Sequence, residues 1–262
     1  EENKGLKKEE LKEKIKRSSF QMEQINKVKS ISIWIFIVPF VAVNTCLIIT
    51  TQLHFLIEPQ YKIFMPFPYI DGGVSISRTA RYFPTYLIFK PAMFLTAYLL
   101  IIYWYNNRKI ILSFDISNKY RNKIYYFGVA SAIALVIHSI FLGVKFDNDF
   151  YKLFRRVIMF VFIIFEIVAQ TYLVLALYSL KEKIYKYLNL KILKLKLILV
   201  STLIIVAIIA IPIISLPGDD FYGINLKFLK HALEWDYFIG VISFYLLTFF
   251  MWKKLTNNPT TT

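Results

Sequence analysis

Apolar residues along this chain come in blocks, not at the period of an amphipathic helix or strand. Runs such as ISIWIFIVPFVAVNTCLIIT (31–50) and LILVSTLIIVAIIAIPIISL (197–216) each approach the ~20 residues that carry an α-helix across a bilayer. Six blocks are legible, at about 31–53, 85–104, 125–144, 157–178, 197–216 and 236–252, and every connection between them is short except 54–84. A segment that is apolar on all sides has no face to turn to water. The pattern therefore predicts an all-α, polytopic membrane bundle of six transmembrane helices.

The polar flanks divide the rest. Residues 1–30 mix Lys with Glu, and Glu10/Lys14 and Glu13/Arg17 have the i,i+4 spacing that supports a solvated helix. Residues 31–252 form the six-span domain and 253–262 a polar tail. Because 30 strongly charged residues precede the first apolar block, the amino-terminal region is unlike a cleavable signal peptide.

A net charge of +15 would suit a nucleic-acid partner if it were gathered on one surface. Its distribution argues against that partner. Segments 1–30, 105–124, 179–196 and 253–262 hold 22 Lys and Arg; the alternate connections hold 9, and Lys90 lies within the second block. By the positive-inside rule the first set is cytoplasmic, as are both termini. Glu58, Asp71, Asp147, Asp149, Asp219, Asp220 and Glu234 all fall in the opposite set. Basic residues beside a span also attract anionic lipid, at about 1 kcal/mol each. Trp34, Trp104, Trp235 and Trp252 lie near block ends, where an aromatic belt is expected. Cys46, the single cysteine, allows no intrachain disulfide and reads as a small apolar packing residue. With that one native thiol inside a span, maleimide should reach Glu10→Cys and Asn258→Cys only from the cytoplasmic side. Labelling of either from the other side would overturn the topology.

Candidate chemistry narrows the picture mainly by what is missing. There is no P-loop, GxSxG or HExxH and no Cys/His metal spacing. His54, His138 and His231 are far apart, and the last block has no lysine for a retinal Schiff base. Neither cofactor nor metal is expected. No GxxxG and no internal repeat is found.

Polar residues inside the blocks are more informative, because ionisable groups in hydrocarbon cost at least ~2.5 kcal/mol and usually face the bundle interior. Asn44, Lys90, His138, Glu166 and Gln170 are those residues. At ~1.5 Å per residue, Lys90, His138 and Glu166 fall roughly 9, 10 and 14 Å below the outer boundary. Glu166 and Gln170 are four apart and share a helix face. The spacing predicts a Lys90–Glu166 pair, with His138, Gln170, His231 and Glu234 nearby. Such a cluster serves as a clasp between spans, as a polar cavity that receives a lipid headgroup or small ligand, or as a proton or ion pathway. In the long connection, Pro66 and Pro68 break helix, Gly72 and Gly73 permit tight turns, and Arg78 and Arg81 precede the next span, so a loop capping the outer mouth is expected.

Three segments carry a resemblance. PFPYIDGG (66–73), with Pro68, Ile70 and Asp71, is similar to a Pro-x-Ile-Ser first-loop segment. RYFPTYLIFKPAMFLTAYLLIIYWYNNRK (81–109), opening on Arg81 and Tyr82, is similar to a second span with a basic exit. HALEWDYFIGVISFYLLTFF (231–250) is similar to a last-span entry with an acid and an aromatic, here Glu234 and Trp235. The chain thereby resembles the six-span superfamily of DRAM, the transmembrane-150 proteins and the GPI-anchor lipid-remodelling proteins with the amino-terminal part of yeast Cwh-type proteins. Asp71 stands where that family commonly has Ser. The resemblance implies a multi-pass protein of an endomembrane or plasma membrane. It also implies a non-enzymatic function, binding or organising membrane lipid or scaffolding other membrane proteins. Two alternatives stay open: an enzyme remodelling GPI-anchor or phospholipid acyl chains, and an accessory subunit of a large membrane assembly.

Overall fold

A computed structural model describes residues 2–64, 67–144, 148–215, 220–221 and 224–253, with side chains for all but 2–6, 149, 152, 214–215, 220–221 and 224–225. Pro66, Asp147, Asp219 and the tail 254–262 lie outside the described residues. Among the described residues nine α-helices follow in order: α1 (Glu2–Thr51), α2 (Pro68–Asp71), α3 (Ile76–Ala80), α4 (Tyr86–Phe114), α5 (Arg121–Phe141), α6 (Asp149–Ser179), α7 (Lys181–Ile184), α8 (Leu190–Ser215) and α9 (Leu226–Met251). Among the described residues two short 3-10 turns (His54–Leu56 and Pro59–Tyr61) and an antiparallel pair of two-residue strands, β1 (Asp220–Phe221) and β2 (Ile224–Asn225), interrupt the α-helices.

Six of the helices, α1, α4, α5, α6, α8 and α9, are long and apolar enough to cross a membrane, each holding an apolar stretch of mean hydropathy between 1.3 and 2.7. The protein is thus an integral, multi-pass membrane protein. The helices match the six apolar blocks but outrun them. Apolar sequence marks where water must stop, whereas a helix continues until its backbone meets a breaker. In consequence the charged amino-terminal segment and the first span are one uninterrupted helix of 50 residues. Likewise α9 begins ten residues before its expected start, and α8 begins at Leu190.

Neighbours in the bundle follow chain order: α1 packs on α4, α4 on α5, α5 on α6, α6 on α8, α8 on α9, and α9 back on α1. Packing across the ring, α4 on α6 and α6 on α9, is slight. Residues 29 and 252 meet at one end, where Lys29 Nζ donates to the Trp252 carbonyl at 2.6 Å. We call this the inner end and the opposite one, which bears the long connection, the outer end. At the inner end the backbone N–H of Asn189 donates to Met251 (2.8 Å) and that of Lys253 to Tyr187 (2.9 Å). Beyond it, Arg17 Nε (2.9 Å) and Gln21 Nε2 (3.1 Å) both donate to the Ser113 carbonyl, tying the projecting part of α1 to the end of α4.

The aromatic belt needs correction. Only Trp34 is exposed; Trp104, Trp235 and Trp252 are fully buried. Their large apolar area fills gaps between helices, and the Trp235 indole N–H is satisfied internally by the Val74 carbonyl at 2.8 Å.

Candidate intramembrane ligand site

Because the six spans form a ring with little packing across it, space is left in the middle. The cavity has a volume of about 310 Å³, at the small end of the ~300–1,000 Å³ range of ligand sites. Each wall is a helical stripe: Phe89, Met93, Thr96 and Leu100 from α4, and Met159, Phe162, Ile163 and Glu166 from α6. The α9 stripe runs Lys230, Glu234, Tyr237, Val241 and Tyr245, about 22 Å along the axis. Spacings of three and four keep each set on one face. Ile35, Pro39 and Val43 of α1, Leu135 and His138 of α5, and Val206, Ala207 and Ala210 of α8 also line it.

The α8 contributions, and those of α6 apart from Glu166, come from the outer half of each helix. Ile164 and Ile211 line the cavity there and are 43% and 44% exposed. Packing between α6 and α8 is also the slightest between neighbours in the ring, which makes this seam the candidate opening.

A lid closes the outer mouth, held by side chains at the start of α9. His231 Nδ1 bonds the Gly72 carbonyl at 2.9 Å, acting as donor to it. Trp235 holds Val74, and the Glu234 carboxylate faces the backbone N–H groups of Ile76 and Ser77 with Arg81 close by. Ile76 then points into the cavity. Gly72 has φ +62° and its backbone lies so close to α9 that an added Cβ would sit 1.7 Å from the Phe228 carbonyl oxygen. The expected capping loop is thus present in residues 67–84.

The motif residues build this lid. Pro68 starts α2 and is buried. Asp71 closes the turn, accepting from the backbone N–H of Phe67 (3.1 Å) and Gly73 (2.8 Å). Arg81 donates to the Ser77 carbonyl (3.0 Å) and hydroxyl (3.1 Å). Tyr82 stacks on Tyr61 at 3.8 Å, while Ile70 is exposed. Asn44 belongs here and not to the Glu166 cluster: it accepts from the Tyr69 hydroxyl at 3.0 Å and donates to the Phe40 carbonyl. Burial raises the Tyr69 pKa, against the effect of the Asn44 bond, so Tyr69 stays a donor at neutral pH.

The floor is polar. Glu166 is 1% exposed and is held by Ser131 Oγ at 2.6 Å, Gln170 Nε2 at 3.1 Å and the Tyr245 hydroxyl. These three uncharged donors replace the expected Lys90 partner. Lys90 lies one turn into α4 and reaches outward to the Ile140 carbonyl at 3.3 Å, in the last turn of α5, where the helix dipole favours a cation. Glu166 is far deeper, roughly 26 Å along α6 from Asp149, against roughly 6 Å for Lys90 from the start of α4. His138, His231 and Glu234 share the cavity wall with Glu166, but none of them bonds to it. Among the described residues no three His, Cys, Asp or Glu side chains are grouped to hold a metal ion.

One residue was missed. Lys196, counted above in an inner connection, sits inside α8 at 0% exposure. Its Nζ donates to Thr248 Oγ1 at 2.7 Å and stands 3.8 Å from the centre of the Phe244 ring. The signal was its phase: Leu193, Lys196, Val200 and Leu203 are all buried and repeat at helical spacing. Against this geometry, no protein-family model, no curated protein and no solved structure matches the chain.

Proposed function

We propose that this protein binds a membrane lipid, taking one acyl chain into the cavity through the α6–α8 seam, and acts by presenting or organising that lipid rather than by chemistry on it. The observation that carries this reading is an apolar cavity walled by spans, with half-exposed residues at its most thinly packed seam. An acyl chain already dissolved in the bilayer needs no passage through water to enter there. Its polar end would lie near Lys230, His231 and Glu234, beneath the lid, and its tail toward Tyr245. Of the acids and histidines of the wall, Glu166 and His138 are not hydrogen-bonded to each other, Glu234 faces the backbone N–H groups of Ile76 and Ser77, and His231 bonds the Gly72 carbonyl. That argues against an acid–base pair poised for acyl transfer. We also propose, on the three segments above, that the chain is a member of the DRAM-type superfamily.

Photo-crosslinking of the full chain in phosphatidylcholine nanodiscs with a diazirine-tailed phosphatidylcholine tests the reading. Adducts are expected on Met93, Phe162 or Val241, and Ala210→Trp, which fills the seam, should reduce them at least fivefold. Adducts confined to the outward residues Ile205, Ile208 and Ile209 would refute it.

A further inference from the structure

Of the described acidic and basic side chains, only Glu166 and Lys196 are fully buried, one acid and one base, and neither has an ionic partner. Two hydrogen-bonded strings run toward each other from them. Glu166 bonds the Tyr245 hydroxyl. Lys196 bonds Thr248 Oγ1, which shares a 3.1 Å bond with the Tyr103 hydroxyl. Tyr245 and Thr248 are one turn apart on α9, and the rings of Tyr103 and Tyr245 pack edge to face with centroids 5.0 Å apart.

We propose that Glu166 and Lys196 exchange one proton through Thr248, Tyr103 and Tyr245, so that the cavity's acid is charged when the cavity is wet and neutral when an acyl chain fills it. This rests on the lipid reading above. In the step, Lys196 Nζ loses a proton and becomes an amine. Each intervening hydroxyl passes one proton on and receives another, and the Glu166 carboxylate becomes a carboxylic acid. Two buried charges are thereby replaced by two neutral groups with no proton gained or lost overall.

The physical drive is the cost of charge in a dry interior. Water in the cavity lowers that cost at Glu166, and an acyl chain restores it. Tyr245 lines the cavity as well as bonding the acid, so a ligand touches the relay directly. The junction between the two tyrosines has no hydrogen bond, and transfer across it requires ring movement or a water. A feature beside Glu166 fits the neutral state. The Gln170 side-chain oxygen is buried with no hydrogen-bond partner, and a flip of this amide, whose nitrogen now faces Glu166, would turn it into an acceptor for the acid's own proton. The groups facing Glu166 are Ser131 of α5, Gln170 of α6 and Tyr245 of α9. His138, Lys230, His231 and Glu234 lie on the same cavity wall. Lys196 faces Thr248 and Phe244.

The test uses the full chain in nanodiscs, with lysophosphatidylcholine as the single-chain probe. Infrared difference spectra should gain a carboxylic-acid carbonyl band on binding, assigned by its loss in Glu166→Gln or its shift in Glu166→Asp. Calorimetric heats of binding should be equal in two buffers of different ionisation enthalpy, because the proton comes from within. In Lys196→Met the same band should appear with about one proton drawn from the buffer. Binding that leaves the acid band unchanged overturns the relay while the lipid reading stands, and so does a wild-type heat that varies with buffer. No binding heat at all removes both. The wild-type measurements suffice if a variant fails to fold.

Discussion

Gly72→Ala should cost about 4 kcal/mol of stability and release the lid. Alanine at φ +62° costs roughly 1–2 kcal/mol by itself. The larger part is steric, since the new methyl would occupy the place of the Phe228 carbonyl oxygen, and main chain on both sides resists the shift. Moving the loop away strains or breaks the bonds from His231 to Gly72 and from Trp235 to Val74, each worth about 1–3 kcal/mol when a buried group is left unsatisfied. Limited trypsin digestion gives a readout beside the thermal midpoint. Wild-type protein in native membranes should resist cutting after Arg78 and Arg81, and the variant should be cut at both. A variant as stable and as resistant as wild type would mean that the lid does not depend on its seat against α9.

The second large effect is expected at Gly128→Ala, where α5 crosses α4. A Cβ there would fall 2.2 Å from the Trp104 ring. That indole is fully buried and packed edge-on to Tyr103 and Tyr245, so it cannot swing aside cheaply. Overpacking of this kind costs about 1–3 kcal/mol, and the displaced ring pushes on Tyr245, which holds Glu166. Trimming the indole should relieve the strain. Gly128→Ala with Trp104→Phe is expected to be more stable in a thermal scan than Gly128→Ala alone, the mark of two positions competing for one volume. Additive losses would show that the two residues do not compete.

What the sequence made legible follows from which physical signals are local. Six spans are visible because hydrocarbon demands a long apolar block for each crossing. The lid was legible from Pro68, Gly72 and Gly73, residues whose backbone preferences are their own, and Glu166 with Gln170 from simple i,i+4 arithmetic. The failures are non-local. Lys90 was paired with Glu166 because both are ionisable, but the depth of each depends on where its helix begins, and α6 begins eight residues before its apolar block. Lys196 lies in LKILKLK, beside Lys191 and Lys194, where composition alone reads as an inner flank. Only its register with Leu193, Val200 and Leu203 turns it inward. Three of the four tryptophans were likewise placed by sequence distance from block ends, which says nothing about whether the ring faces lipid or another helix.

The unbroken passage of α1 from the charged segment into the bundle makes the part of the protein outside the membrane a pointer to the part within. From residue 31 back to residue 10 the helix extends roughly 32 Å, so a change of about 10° in the tilt of the first span carries residue 10 sideways by roughly 5 Å. Arg17 and Gln21 hold α4 to the same motion through Ser113. Two walls of the cavity thus share one rigid handle that stands in water, where antibodies, labels and binding partners can grip it.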